Sequence, residues 1–86
     1  MFVDSAFRHG LSRRDYREVL RNANICYRHR RGDPDVYEIL GRNDAGHYLH
    51  IITRRIPAGD VRIVRVFHMG PMNRADRAWF RKRVTQ

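Results

Sequence analysis

The stretch Val61-Arg62-Ile63-Val64-Arg65-Val66-Phe67-His68-Met69 decides how the rest of the chain is read. β-Branched residues dominate it, two arginines and a histidine punctuate it, and Gly70-Pro71 stops it, which is the pattern of a strand. Beyond that stop, the basic segment 73–83 carries Trp79 and Phe80 behind Asn73-Arg74-Ala75-Asp76, which resembles a capped helix start. Upstream, Pro57-Ala58-Gly59-Asp60 is a turn. Residues 48–56 before it alternate, with Leu49 and Ile51 on one face, Tyr48, His50 and Arg54 on the other, and Ile52 breaking the polar set. The two runs predict neighbouring strands that set His50 and Arg54 beside Arg62, Arg65 and His68.

Further out, Val36-Tyr37-Glu38-Ile39-Leu40 fits a strand, joined to the next by the hairpin-like Asn43-Asp44-Ala45-Gly46. Ile25-Cys26-Tyr27 starts a shorter strand that runs into a charged stretch and the turn Gly32-Asp33-Pro34. Ser12 with Asp15 forms a shortened capping box and predicts a helix over 12–22. Leu11, Val19, Leu20 and Ala23 make its apolar stripe, leaving Arg13, Arg14, Arg17, Glu18 and Arg21 toward water. Phe2, Val3, Ala6 and Phe7 fall at roughly helical spacing before His9-Gly10, giving a single-turn helix or an irregular arm. The expected fold is α+β: two N-terminal helices, a three- to four-stranded antiparallel meander and a C-terminal helix, with the helices packed mainly on one sheet face. A chain of 86 residues fits one domain, 1–86, with a thin core.

Eighteen basic residues against nine acidic ones give a formal charge of +9, which draws polyanions through counterion release. Lys82 is the only lysine among them; arginine suits phosphate and base recognition, although a GC-rich genome produces the same bias. Cys26 is alone and makes no internal disulfide, and neither a run of about 20 apolar residues nor a signal-peptide pattern appears, which predicts a soluble cytoplasmic protein with no membrane partner. Histidines 9, 29, 47, 50 and 68 look scattered and no acids pair in a motif, so no metal site and no cofactor is expected. Gly41, Gly46 and Gly59 lack phosphate-loop spacing, and Ser5 and Ser12 lack a nucleophile elbow.

RNA cleavage without metal needs cations at the phosphorus centre and groups that move protons from the 2′-hydroxyl and to the leaving oxygen. Arg54, Arg62, Arg65 and His68 meet those needs if the strands bring them together, with His50 or Tyr48 positioning or relaying protons. The plainer role of each arginine is a solvated strand position, and of the histidine a structural hydrogen bond; their grouping on two adjacent strands is what points to a site. Trp79 and Phe80 serve first as core anchors, which leaves Arg74, Arg77, Arg81, Lys82 and Arg83 exposed for phosphates or an acidic partner.

At these residues the chain resembles the BrnT-type branch of the RelE/ParE toxin superfamily, and related small bacterial domains of unknown function. Arg8-His9-Gly10-Leu11-Ser12 is similar to the Lys-His-Gly-hydrophobic-Ser/Asp motif before that family's main helix. Leu40-Gly41-Arg42-Asn43, followed by Ala45-Gly46 and Leu49, resembles its hairpin. Val61-Arg62-Ile63-Val64 resembles its last main strand, and Asp76-Arg77 before Phe80 its final helix. The resemblance implies a bacterial type II toxin: a metal-independent endoribonuclease that blocks translation by acting on mRNA, free or on the ribosome, until a cognate antitoxin binds it as part of a heterotetramer or beside a toxin homodimer. Such toxins use basic residues on the sheet and near the final helix, which agrees with the candidates read from the residues: Arg54, Arg62, Arg65, His50 and His68 for catalysis, and Tyr48, Arg74, Arg77, Arg81 and Lys82 for substrate binding. Phe67 stands where the family carries an arginine and Phe80 where it carries a tyrosine, and the Gly70-Pro71-Met72 connection is longer. Strand alternation sets Arg65 on the face of Phe67, as a replacement for the lost charge. Two alternatives remain at this level: a non-catalytic nucleic-acid-binding module, and a ParE-like toxin that docks on an acidic protein.

Overall fold

A computed structural model describes residues 2, 7, 9–29, 34–59 and 61–84, with the side chains of Ala58, Val61 and Arg62 outside that description. The chain runs α1 (Arg13–Arg21), β1 (Asn24–Arg28), β2 (Val36–Arg42), β3 (Tyr48–Ala58), β4 (Val61–Pro71) and α2 (Arg74–Val84). The four strands form one antiparallel meander in the order β1-β2-β3-β4. The α+β class and the sheet agree with expectation, but the pair of N-terminal helices does not. Among the described residues α1 is the single α-helix ahead of the sheet, while Phe2 bridges in parallel to Val66 on the outer edge of β4. Phe2 stacks on Phe7 and meets Tyr16 of α1 edge to face. Residues 3–6 lie outside the described residues.

α1 begins at Ser12, whose backbone N–H donates to Asp15 Oδ2 at 2.7 Å. That bond satisfies one of the amides a helix start leaves open. The polar side of α1 differs from the expected one: Glu18 is buried, whereas Leu20 is 45% exposed. Glu18 tolerates burial because it accepts the Asp44 backbone N–H and Arg14 Nε, both at 3.0 Å. Asn43 extends the tie between α1 and the β2–β3 hairpin by donating to Asp15 Oδ1 at 3.1 Å, and Arg21 pairs with Asp44.

The helices lie on opposite faces of the sheet, not on one. Val19 of α1 packs with Ile39, Leu49, Ile51, Val66 and Met69, while Phe80 of α2 packs with Leu40 and Met72. Ile39 and Leu40 are sequence neighbours and both buried, which requires cover on both faces because successive strand side chains point to opposite sides. Gly41 allows α1 its approach: a Cβ built there would lie 2.7 Å from Val19 Cγ1.

Along β3 and β4 the pairing runs regularly from Ala58↔Val61 to Thr53↔Val66, then resumes at Ile52↔His68. Phe67 is the extra residue of this β-bulge. Val66 and Met69, three apart, consequently reach the same buried cluster.

Gly41→Ala is expected to lower stability by about 1–3 kcal/mol, the usual penalty of overpacking a formed core. A urea midpoint equal to that of the native chain would show that Val19 is not pinned against β2. Phe80→Ala is expected to lower stability by about 3–5 kcal/mol in the same measurement, since it empties the centre of the α2-side core.

Candidate nucleic-acid interface

The face of the sheet that carries α2 also holds most of the expected polar set. α2 closes over Leu40, Ile25, Tyr27 and Tyr48, and beyond it the same face presents His50 and Arg54 from β3 with His68 and Arg65 from β4. Arg54 and Arg65 are direct register partners, and directly opposed strand residues share a face. The His50 and His68 rings stand 5.7 Å apart, centroid to centroid, edge to face.

The bulge is what unites these four. In an uninterrupted strand Arg65 and His68, three residues apart, would point to opposite faces. With Phe67 extruded from the register, Arg65 opposite Arg54 and His68 opposite Ile52 lie on one face, because Arg54 and Ile52 are two apart on β3. Alternation does not hold through a bulge, so strand parity alone no longer decides whether Arg65 shares a face with Phe67. The arginine pair lies about 7 Å along the sheet from His68, within an arginine side chain's reach.

Glu38, on β2, supplies the second element. Its carboxylate accepts from His50 Nε2 and His29 Nδ1, each at 2.7 Å. Burial alone raises the Glu38 pKa, but the hydrogen bonds and charges of His29 and His50 outweigh it and hold the carboxyl below its ordinary value. An ionised carboxylate only accepts, so the bond fixes His50 with its proton on Nε2 and leaves Nδ1 as the basic nitrogen of the neutral ring. On the other side His9 meets His68 edge to face at 6.0 Å. Gly70 makes room for both: a Cβ there would lie 3.1 Å from His9 Cδ2 and 3.2 Å from His68 Nε2. Four of the five histidines, scattered in sequence, thus form a file across the sheet: His29, His50, His68 and His9. Among the described residues no group of histidine, cysteine and acidic side chains has the arrangement to hold a metal ion.

The other expected site residues separate into groups. Tyr48 lies under Arg77 at 5.1 Å and near Arg42 at 5.7 Å, which links α2 to the sheet face. Arg74, Arg77 and Arg81 line one hollow of about 350 Å³ on the outer side of α2, and Lys82 is exposed on the same helix. Arg62 is paired through its backbone with Pro57, three rows beyond Arg65, and its side chain lies outside the described residues. On the α1 face, Tyr37 stands between Arg55 at 3.9 Å and Arg28 at 5.9 Å. Glu38, His29 and His9 were not expected at the site. Glu38 shares strand parity with Leu40, a weak signal for its face, whereas nothing local marks His9 or His29.

Comparison of the chain with protein-family models, curated proteins and solved structures returns no match. No described helix is long and apolar enough to cross a membrane.

Two outcomes are expected. Because the folded Glu38 carboxyl titrates below the unfolded one, its bonds stabilise the fold above the ordinary glutamate value of 4.5, and that contribution fades as pH falls toward the lower folded value. The stability difference between native protein and Glu38→Gln should therefore shrink as pH drops below that value in denaturant titrations; a constant difference would mean that the histidines do not hold the carboxylate. Gly70→Ala should shift the imidazole NMR signals of His9 and His68 while those of His47, in the hairpin, stay in place. Unmoved His9 and His68 signals would contradict the crowding around Gly70.

Proposed function

We propose that this protein is an RNA-cleaving toxin, a metal-independent endoribonuclease of the BrnT-type branch of the RelE/ParE superfamily that a cognate antitoxin silences. One observation carries it: two histidines and two arginines converge on one sheet face of a strongly basic chain, with a carboxylate fixing one imidazole. That set supplies each component of phosphodiester transfer to the neighbouring 2′-oxygen. His50 Nδ1 takes the proton of the 2′-hydroxyl, whose oxygen bonds to phosphorus. His68 delivers a proton to the departing 5′-oxygen as its bond to phosphorus breaks. Arg54 and Arg65 stabilise the charge that gathers on the non-bridging oxygens. The products are a 2′,3′-cyclic phosphate and a free 5′-hydroxyl, so no atom or electron has to come from a cofactor. Arg74, Arg77, Arg81 and Lys82 hold flanking phosphates, and Tyr48, beneath Arg77, lies between them and the histidines.

Arg65 takes the place of the charge that Phe67 lacks, since the bulge sets it on the histidine face. The antitoxin, in this account, covers the α2 arginines and the histidine face together.

Purified protein is expected to cleave single-stranded RNA in the presence of a chelator. His50→Ala and His68→Ala should each slow cleavage by about 10²–10⁴-fold, the range of a lost general acid or base. Arg54→Ala and Arg65→Ala should lower the rate without moving its pH profile. Intact RNA with the native chain, or His68→Ala indistinguishable from it, would reject cleavage. Salt-sensitive RNA binding without products would replace it with a non-catalytic RNA-binding module. Production of the protein alone should arrest bacterial growth, and co-production of the antitoxin should restore it.

A further inference from the structure

On the other side of Glu38 from His50, a cavity of about 580 Å³ opens between the end of β1 and the first turns of α2. That volume falls within the range of small-molecule sites. Its walls include Tyr27, His29, Glu38, Asp76 and Trp79. Tyr27 and Trp79 meet edge to face with centroids 5.9 Å apart, and Arg83 lies over the Trp79 ring at 4.1 Å. Core closure on this side belongs to the adjacent Phe80, which is 1% exposed; Trp79 is only half-buried. An aromatic-walled cavity in a polycation suits a nucleobase, whose flat face stacks on such side chains.

The polar groups narrow the choice of base. Both oxygens of Glu38 are occupied by histidines, so Glu38 forms a wall and does not read the ligand. Asp76 differs. Its backbone N–H donates to Asn73 Oδ1 at 2.7 Å, but among the described residues its carboxylate takes part in no hydrogen bond or ion pair. A carboxylate presents two acceptors side by side. Guanine offers two adjacent donors, N1–H and the 2-amino group, on its pairing edge, whereas adenine, cytosine and uracil each offer a single donor group with an acceptor beside it.

We propose that the cavity between Tyr27, Trp79 and Asp76 is a guanine-binding subsite, in which the aromatic pair holds the base and the Asp76 carboxylate accepts its N1–H and 2-amino donors. As a substrate subsite it rests on the ribonuclease assignment above. Glu38, shared between the cavity wall and His50, then sets a bound guanine next to the phosphate whose transfer the histidines serve as base and acid, and RNA is cut beside guanosine.

Trp79 is the single tryptophan, so its fluorescence reports on the cavity directly and independently of cleavage. The full chain is titrated with GMP, IMP, AMP and UMP, which present the same phosphate to the basic surface. GMP is expected to quench saturably and about tenfold more tightly than IMP, which lacks the 2-amino donor, or UMP, as one bidentate base contact predicts. Asp76→Asn, with circular dichroism confirming its helix content, should bring GMP and IMP to equal affinity. The GMP–IMP comparison on the native chain needs no variant and decides the matter even if Asp76→Asn fails to fold. Absence of saturable quenching, or equal affinities for GMP and IMP in the native protein, overturns the subsite. Guanine-selective quenching in a protein that leaves RNA intact upholds the base site and removes only the cleavage; RNA cleavage without quenching removes the base site alone.

Discussion

The register shift between β3 and β4 is the constraint on which this molecule depends. Extruding Phe67 from the ladder lets Val66 and Met69 fill the α1-side core together, and in the same step turns Arg65 and His68 to the opposite face. A regular strand would serve one purpose or the other. With alternation intact, either Val66 or Met69 would leave the core, in a domain whose two apolar clusters are each small. The bulge therefore couples folding to the candidate site: the apolar contacts that hold it also set the cations in place.

Around that shift the structure accepts local penalties at the prospective site. Arg54 and Arg65 are like charges directly opposed across the ladder, a pairing that by itself costs a sheet stability. Gly70 gives up a side chain so that two imidazoles fit beside the backbone. The remainder of the fold is conventional and compensates: α1 is fixed by Val19 against Gly41 and by polar ties from Glu18, Asn43 and Asp44, and α2 is fixed by Phe80. The two oxygens of Glu38 serve histidines on different sides. Glu38 joins the aromatic cavity to the histidine pair through one side chain.

Much of the fold was legible locally. Ser12 with Asp15, Asn73 with Asp76, the turn at Pro57-Ala58-Gly59 and the alternation of Leu49 and Ile51 act within a few residues, and each leaves its mark within that span. The errors fell where partners are distant. Glu18 looked solvent-facing because its acceptor role depends on the Asp44 amide, 26 residues away. The helices looked as if they shared a face, although the buried neighbours Ile39-Leu40 mark a sheet covered on both sides. The N-terminal spacing left a single-turn helix or an irregular arm open, and only the fold shows that Phe2 meets the edge of β4 and the ring of Tyr16.

By itself the sequence determined the charge, the strand meander and the presence of arginine and histidine on two adjacent strands, because composition and short-period patterns are local properties. Only the tertiary structure decided which of those side chains meet. A single extruded residue inverts the facing of every position beyond it, and neither Phe67 nor its neighbours carry the glycine or turn chemistry that would announce a bulge. The file of histidines through Glu38 likewise exists only once strands far apart in sequence are laid side by side.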